Sequence, residues 1–111
     1  MAKCRFTKNL KVFFMDSASL ALSKLSELID LAFRAQTDFE KAAVFSATTT
    51  LIGMVETEFS ETRAHAMENV ERLRWSICAM VGYDINNGHD NDRHRSWARA
   101  AVIALENSLL S

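Results

Sequence analysis

The sequence predicts an all-α fold: an antiparallel four-helix bundle built from two helical hairpins, with a short basic N-terminal arm. Three observations carry this prediction. The 111 residues include no proline and only three glycines, whereas an all-β chain needs a turn residue about every 8–12 positions. Apolar residues recur at i, i+3 and i+4 through four segments, the period of one helix face. The length matches one domain, since domains mostly run to roughly 100–150 residues. Residues 1–15 form the arm and residues 16–111 a single helical domain.

The arm carries Lys3, Arg5, Lys8 and Lys11 and no acid. Phe6, Phe13 and Phe14 are interleaved with them at helical spacing. An arm of this kind docks its aromatic side and leaves its amine heads in water. It contrasts with residues 16–62, which hold eight acids against three bases. The patch Val12-Phe13-Phe14-Met15 is too short for a signal-peptide core. No apolar run approaches the roughly 20 residues of a membrane span.

The first helical segment runs from about Ser17 to Ala35. Ala18, Ala21, Leu22, Leu25, Leu28, Ile29 and Ala32 share one face, and Asp16 or Ser17 can cap its start. Thr37-Asp38-Phe39-Glu40 then reads as a capping box, in which Thr37 and Glu40 satisfy each other's backbone amides. The helix it opens reaches about Phe59, with Val44, Ala47, Thr48, Leu51, Val55 and Phe59 on its stripe. Gly53 lies inside it at a cost of about 1 kcal/mol relative to alanine. A close approach by another helix would offset that cost, so a tight contact is expected there.

The third segment, about Glu61 to Val81, places Ala66, Val70, Leu73, Ile77 and Met80 on one stripe. Glu68 and Arg72 form an i,i+4 pair. Gly82 stands at the C-terminal cap, where a positive φ is needed. Residues 59–63 contain neither proline nor glycine, so segments two and three read as one helix or as two. The loop Tyr83–Asp92 holds the turn dipeptide Asn87-Gly88, and Asp90 or Asp92 can cap the last helix. The fourth segment, about Arg93 to Leu110, is apolar nearly all round. Such a helix is central in its bundle or covered by a second chain.

Nothing in these elements points to catalysis. The chain has no glycine-rich phosphate loop, no HExxH and no pair of Glu-x-x-His motifs. Cys78 lies mid-helix among apolar residues, with no histidine within a turn, and reads as a small core residue. The expectation is a protein that is not an enzyme, with no catalytic residue and no cofactor. His89, Asp90, Asp92 and His94 bring two imidazoles and two carboxylates together, the usual ligands of a divalent metal. Their spacing matches no known site, and a solvated loop with a helix cap is the simpler reading. Cys4 and Cys78 lie far apart without metal or disulfide spacing, which points to reduced thiols in the cytoplasm.

More apolar surface is present than one small bundle can cover. Phe6, Phe13, Phe14, Phe45, Ile52, Trp75, Trp97, Val102 and Leu105 are the interface candidates. The expected function is therefore a small interaction protein, an adaptor or inhibitor acting by protein contact. Proteins of this type are common among bacterial accessory, phage and mobile-element products. A homodimer pairing through the fourth helix or the arm is expected, together with a protein partner. The alternative is a small nucleic-acid-binding protein using Lys3, Arg5, Lys8, Lys11, Arg93 and Arg95.

Overall fold

The computed structural model describes the backbone over residues 2–59, 64–85 and 87–110, and side chains over 17–59, 65–85 and 87–109. Four helices fill it: α1 (Ala2–Arg34), α2 (Asp38–Phe59), α3 (Ala64–Met80) and α4 (Asn91–Leu110). No strand occurs among the described residues. None of these helices is long and apolar enough to cross a membrane.

The first difference from expectation is at the start. α1 runs without a break through the arm and the first segment, so Asp16 and Ser17 lie inside a helix and cap nothing. Residues 9–17 contain no glycine or proline to interrupt it. The side chains of Lys3, Arg5, Phe6, Lys8, Lys11, Phe13 and Phe14 lie outside the described residues. At 33 residues against 22 for α2, α1 is the longest helix, and its N-terminal turns run on past the end of α2.

The start of α2, the end of α3 and the start of α4 are closed as the sequence predicts. The Thr37 hydroxyl accepts from the Glu40 amide at 3.1 Å, and the Glu40 carboxylate accepts from the amides of Thr37 and Gln36 at 3.0 and 3.2 Å. These backbone donors hold the Glu40 carboxyl below the usual glutamate range. α3 ends in a Schellman motif: the Tyr83 amide donates to the Cys78 carbonyl at 2.9 Å and the Gly82 amide to that of Ala79 at 3.2 Å. Gly82 sits at φ +83° to allow it. Asp90 caps α4 by accepting from the Arg93 amide at 2.9 Å.

Among the described residues α2 and α4 each pack against two helices, and α1 and α3 each against three. α1 lies between α2 and α4, and α3 also lies between α2 and α4; α1 and α3 touch across the centre, while α2 and α4 do not meet. Pairings across the seams give the directions. Phe45, near the start of α2, stacks on Tyr83, just after α3. On α1 and α4, Phe33 meets Arg95 and Asp30 meets Arg99. Neighbours are therefore antiparallel, and segments two and three are two separate helices.

The core follows the stripes, with shifts. Leu22, Leu25 and Ile29 of α1 meet Ile52, Val55 and Phe59 of α2, Val70, Leu73 and Ile77 of α3, and Ala98, Ala101 and Leu105 of α4. On α2 the buried set is Val44, Thr48, Ile52, Val55 and Phe59, with Ala47 and Leu51 only half-buried. Three interface candidates are thereby corrected. Ile52, Val102 and Leu105 are buried in the chain's own core, because α2 and α4 each face two neighbours and the buried face is wider than one row.

Two local expectations also change. Gly53 is exposed, and a Cβ built there would meet nothing within 4 Å. No helix approaches it; it lies on the solvent side of α2, between the buried Ile52 and Val55. Glu68 pairs with His65 at 3.8 Å, when that imidazole is protonated, and Arg74 pairs with Glu71. Glu68 and Arg72 form no ion pair.

Candidate interaction site

The antiparallel packing gathers one end of the bundle from five pieces of chain. They are the last turn of α1, the first turns of α2, the end of α3, the loop after it, and the first turns of α4. Phe33, Phe39, Phe45, Trp75, Tyr83 and Trp97 all belong to these pieces, as do His89 and His94. Among the residues whose side chains are described, only Phe59 is an aromatic outside this pole.

Trp75 on α3 and Trp97 on α4 stack at 5.7 Å between ring centroids. His94 is fully buried and meets Trp75 edge-on at 4.7 Å. His89 meets Trp97 edge-on at 4.9 Å. Offset and edge-on rings of this kind add about 0.5–1.5 kcal/mol per pair beyond area burial. A bond ties the loop to this cluster: the Trp75 indole N–H donates to the Ile85 carbonyl at 2.7 Å. Asn87 at φ 54° and Gly88 at φ +80° make the tight turn that lets the chain return to α4.

Large apolar residues are exposed on this pole among charged ones such as Asp38, Asp84 and Arg93. Ile85 is 71% exposed, Tyr83 50% and Phe39 83%. Tyr83 stacks on the half-buried Phe45 at 4.6 Å. The Arg93 guanidinium sits over Trp97 at 5.9 Å, a cation–π contact. Of the interface candidates, the structure thus brings Phe45, Trp75 and Trp97 together at one end.

The candidate metal ligands come out differently. Among the described residues no three His, Cys, Asp or Glu side chains are grouped to hold a metal ion. Asp90 is the helix cap, Asp92 pairs with Arg95 at 3.2 Å, and His94 is packed in the core against two indoles. Their arrangement serves the start of α4, which begins at Asn91 and so draws His94 into the helix.

Cys78 is buried at the end of α3. Burial pushes its thiol up, the Asp84 charge adds to this, and Arg74 offsets part of it. A thiol held in its protonated form is a poor nucleophile, in keeping with a core residue.

Sequence reasoning missed Phe33, Phe39, Tyr83 and Ile85 as parts of this surface. The available signal was two large apolar residues, Tyr83 and Ile85, standing in an otherwise polar loop. On the other side of α4 lies a cleft of about 340 Å³ lined by Asp30, Phe33, Arg34 and Arg95. Arg95, a candidate nucleic-acid contact by sequence, stacks here on Phe33, its guanidinium carbon 3.9 Å from the ring centre.

No protein-family model, curated protein or solved structure matches the chain.

Proposed function

We propose that the chain is a non-enzymatic interaction protein that binds a protein partner through the aromatic pole. The observation that carries this reading is the pairing of exposed Tyr83 and Ile85 with a rigid support. Ile85 is held by the Trp75 indole and Tyr83 by the Phe45 ring. A pre-set apolar surface loses little side-chain freedom on binding, and aromatic residues of this kind dominate interface energetics. The Cys78 thiol is buried, and His89 and His94 pack against indoles, which fits a reading by surface contact.

An adaptor or inhibitor working in the cytoplasm, of bacterial accessory or phage type, is the accompanying reading. Self-association is part of it. With Val102 and Leu105 in the core, Ile103 is the one large apolar residue that α4 exposes among the described residues. A homodimer would therefore rest on the arm with Phe6, Phe13 and Phe14. Light scattering of the full chain tests this, and a strictly monomeric result removes the dimer while leaving the pole untouched.

The pole is tested by capture from the source cell extract. Wild-type protein retains a defined partner, and so does Leu20→Ser, which alters an exposed apolar residue away from the pole. The double variant Tyr83→Ser/Ile85→Ser, with an unchanged melting profile, loses it. Equal capture by all three proteins sinks the proposal. Partner binding that instead collapses with salt and requires Arg93 and nucleic acid would favour the nucleic-acid reading.

A further inference from the structure

We propose that the cleft between the last turn of α1 and the first turns of α4 receives an oxyanion, a carboxylate or phosphoryl group, carried on a peptide segment of the partner. The inference rests on the reading of the pole as a protein-binding surface and names the chemistry of the group that binds there.

Two guanidinium groups, Arg34 of α1 and Arg95 of α4, line this cleft beside Asp30, and Arg99 reaches its edge by bonding to Asp30. Arg95 and Arg99 lie one turn apart on α4, and Arg34 closes α1. Two carboxylates hold two of them: Asp92 bonds Arg95 at 3.2 Å and Asp30 bonds Arg99 at 2.5 Å. Arg34 differs. Its Nε donates to the Asp30 carbonyl at 3.3 Å, and among the described residues it pairs with no carboxylate. One positive charge is therefore in excess at the mouth of the cleft, which favours an anion and disfavours a cation.

The geometry suits a two-point oxyanion contact. The Arg95 guanidinium carbon lies 3.9 Å from the Phe33 ring centre, which anchors the head group at the cleft, and its Nη2 group bonds Asp92. Planar guanidinium groups pair with carboxylate and phosphate oxygens through parallel N–H bonds, which an ammonium cannot reproduce. The Phe33 ring also keeps water from one side, where such bonds are stronger than in bulk solvent. At about 340 Å³ the cleft lies at the small end of ligand sites and suits one acidic side chain. The exposed apolar residues lie at the same end of the bundle, so a single segment can place apolar groups on the pole and an acidic group here.

The test uses the full chain at low ionic strength with two short peptides, one holding glutamates and one a phosphoserine at the same place. The side-chain Nε–H resonances of the arginines are followed by NMR. Binding of either peptide is expected to shift Arg34 and Arg95, and the tighter peptide identifies the source of the oxyanion. Arg34→Gln and Arg95→Lys are each expected to weaken binding about tenfold, with the melting profile of Arg34→Gln unchanged. Tyr83→Ser/Ile85→Ser leaves the cleft intact, so its loss of the partner tests the pole separately. The proposal is overturned if neither peptide moves those resonances or if both arginine variants keep wild-type affinity. Displacement of both peptides by short single-stranded DNA would overturn it as well.

Discussion

Gly53 and Gly82 stand in opposite situations, and the contrast is measurable. Gly82 occupies φ +83° in the Schellman motif that ends α3. A side chain there meets no neighbour, but the left-handed conformation itself costs an L-residue about 1–2 kcal/mol. Gly53 lies mid-helix with open space around it, so alanine gains helix propensity there without a clash. Urea melts should place Gly82→Ala about 1–2 kcal/mol below wild type and Gly53→Ala about 0.5–1 kcal/mol above it. A destabilised Gly53→Ala would mean that another helix does approach it. Both glycines are exposed with open space around them; only the backbone conformation, φ +83° at Gly82, separates the required one from the permissive one.

The α1–α2 corner shows how a short pattern governs an element. Thr37 and Glu40 close the start of α2 by reciprocal bonds, and these bonds favour the ionised carboxylate. The folded pKa of Glu40 thus lies below its unfolded value. Its stabilising contribution is complete above the unfolded value and is lost as the pH falls through the folded one. Thermal melts from neutral to acid pH should show wild type above Glu40→Gln near neutrality, with the gap closing in acid. A gap that stays constant with pH would show that ionisation of Glu40 plays no part. α1, whose start differs from the sequence expectation, lacks any such signal. No glycine or proline lies near its cap-like Asp16 and Ser17 to break the helix there.

The bundle as an assembly divides the apolar residues into core and surface. Leu105 is fully buried where α4 meets its neighbours, whereas Ile103, two positions earlier, is 58% exposed. Leu105→Ala should cost about 2–5 kcal/mol, and Ile103→Ala less than about 0.5 kcal/mol. Equal losses in denaturant melts would indicate that a second chain covers Ile103. The same division accounts for the fate of the interface candidates. Ile52, Val102 and Leu105 turn inward, while Phe45, Trp75 and Trp97 come together at one pole with Tyr83 and Ile85, which stand apart from any stripe.

The absence of proline, the helical period and the caps at Thr37, Gly82 and Asp90 determined the helical segments, the starts of α2 and α4 and the end of α3, because each of these acts within a turn or two of chain. The start of α1 and the separation of α2 from α3 came only with the structure. Which faces stay open is a different kind of quantity. Ile52 and Phe45 look alike in sequence, and burial depends on how many neighbours a helix has and at what rotation. The pole and its arginine cleft likewise join residues as distant as Asp30 and Arg99. Only antiparallel packing brings such residues together, so the proposed binding surface could be read only from the folded bundle.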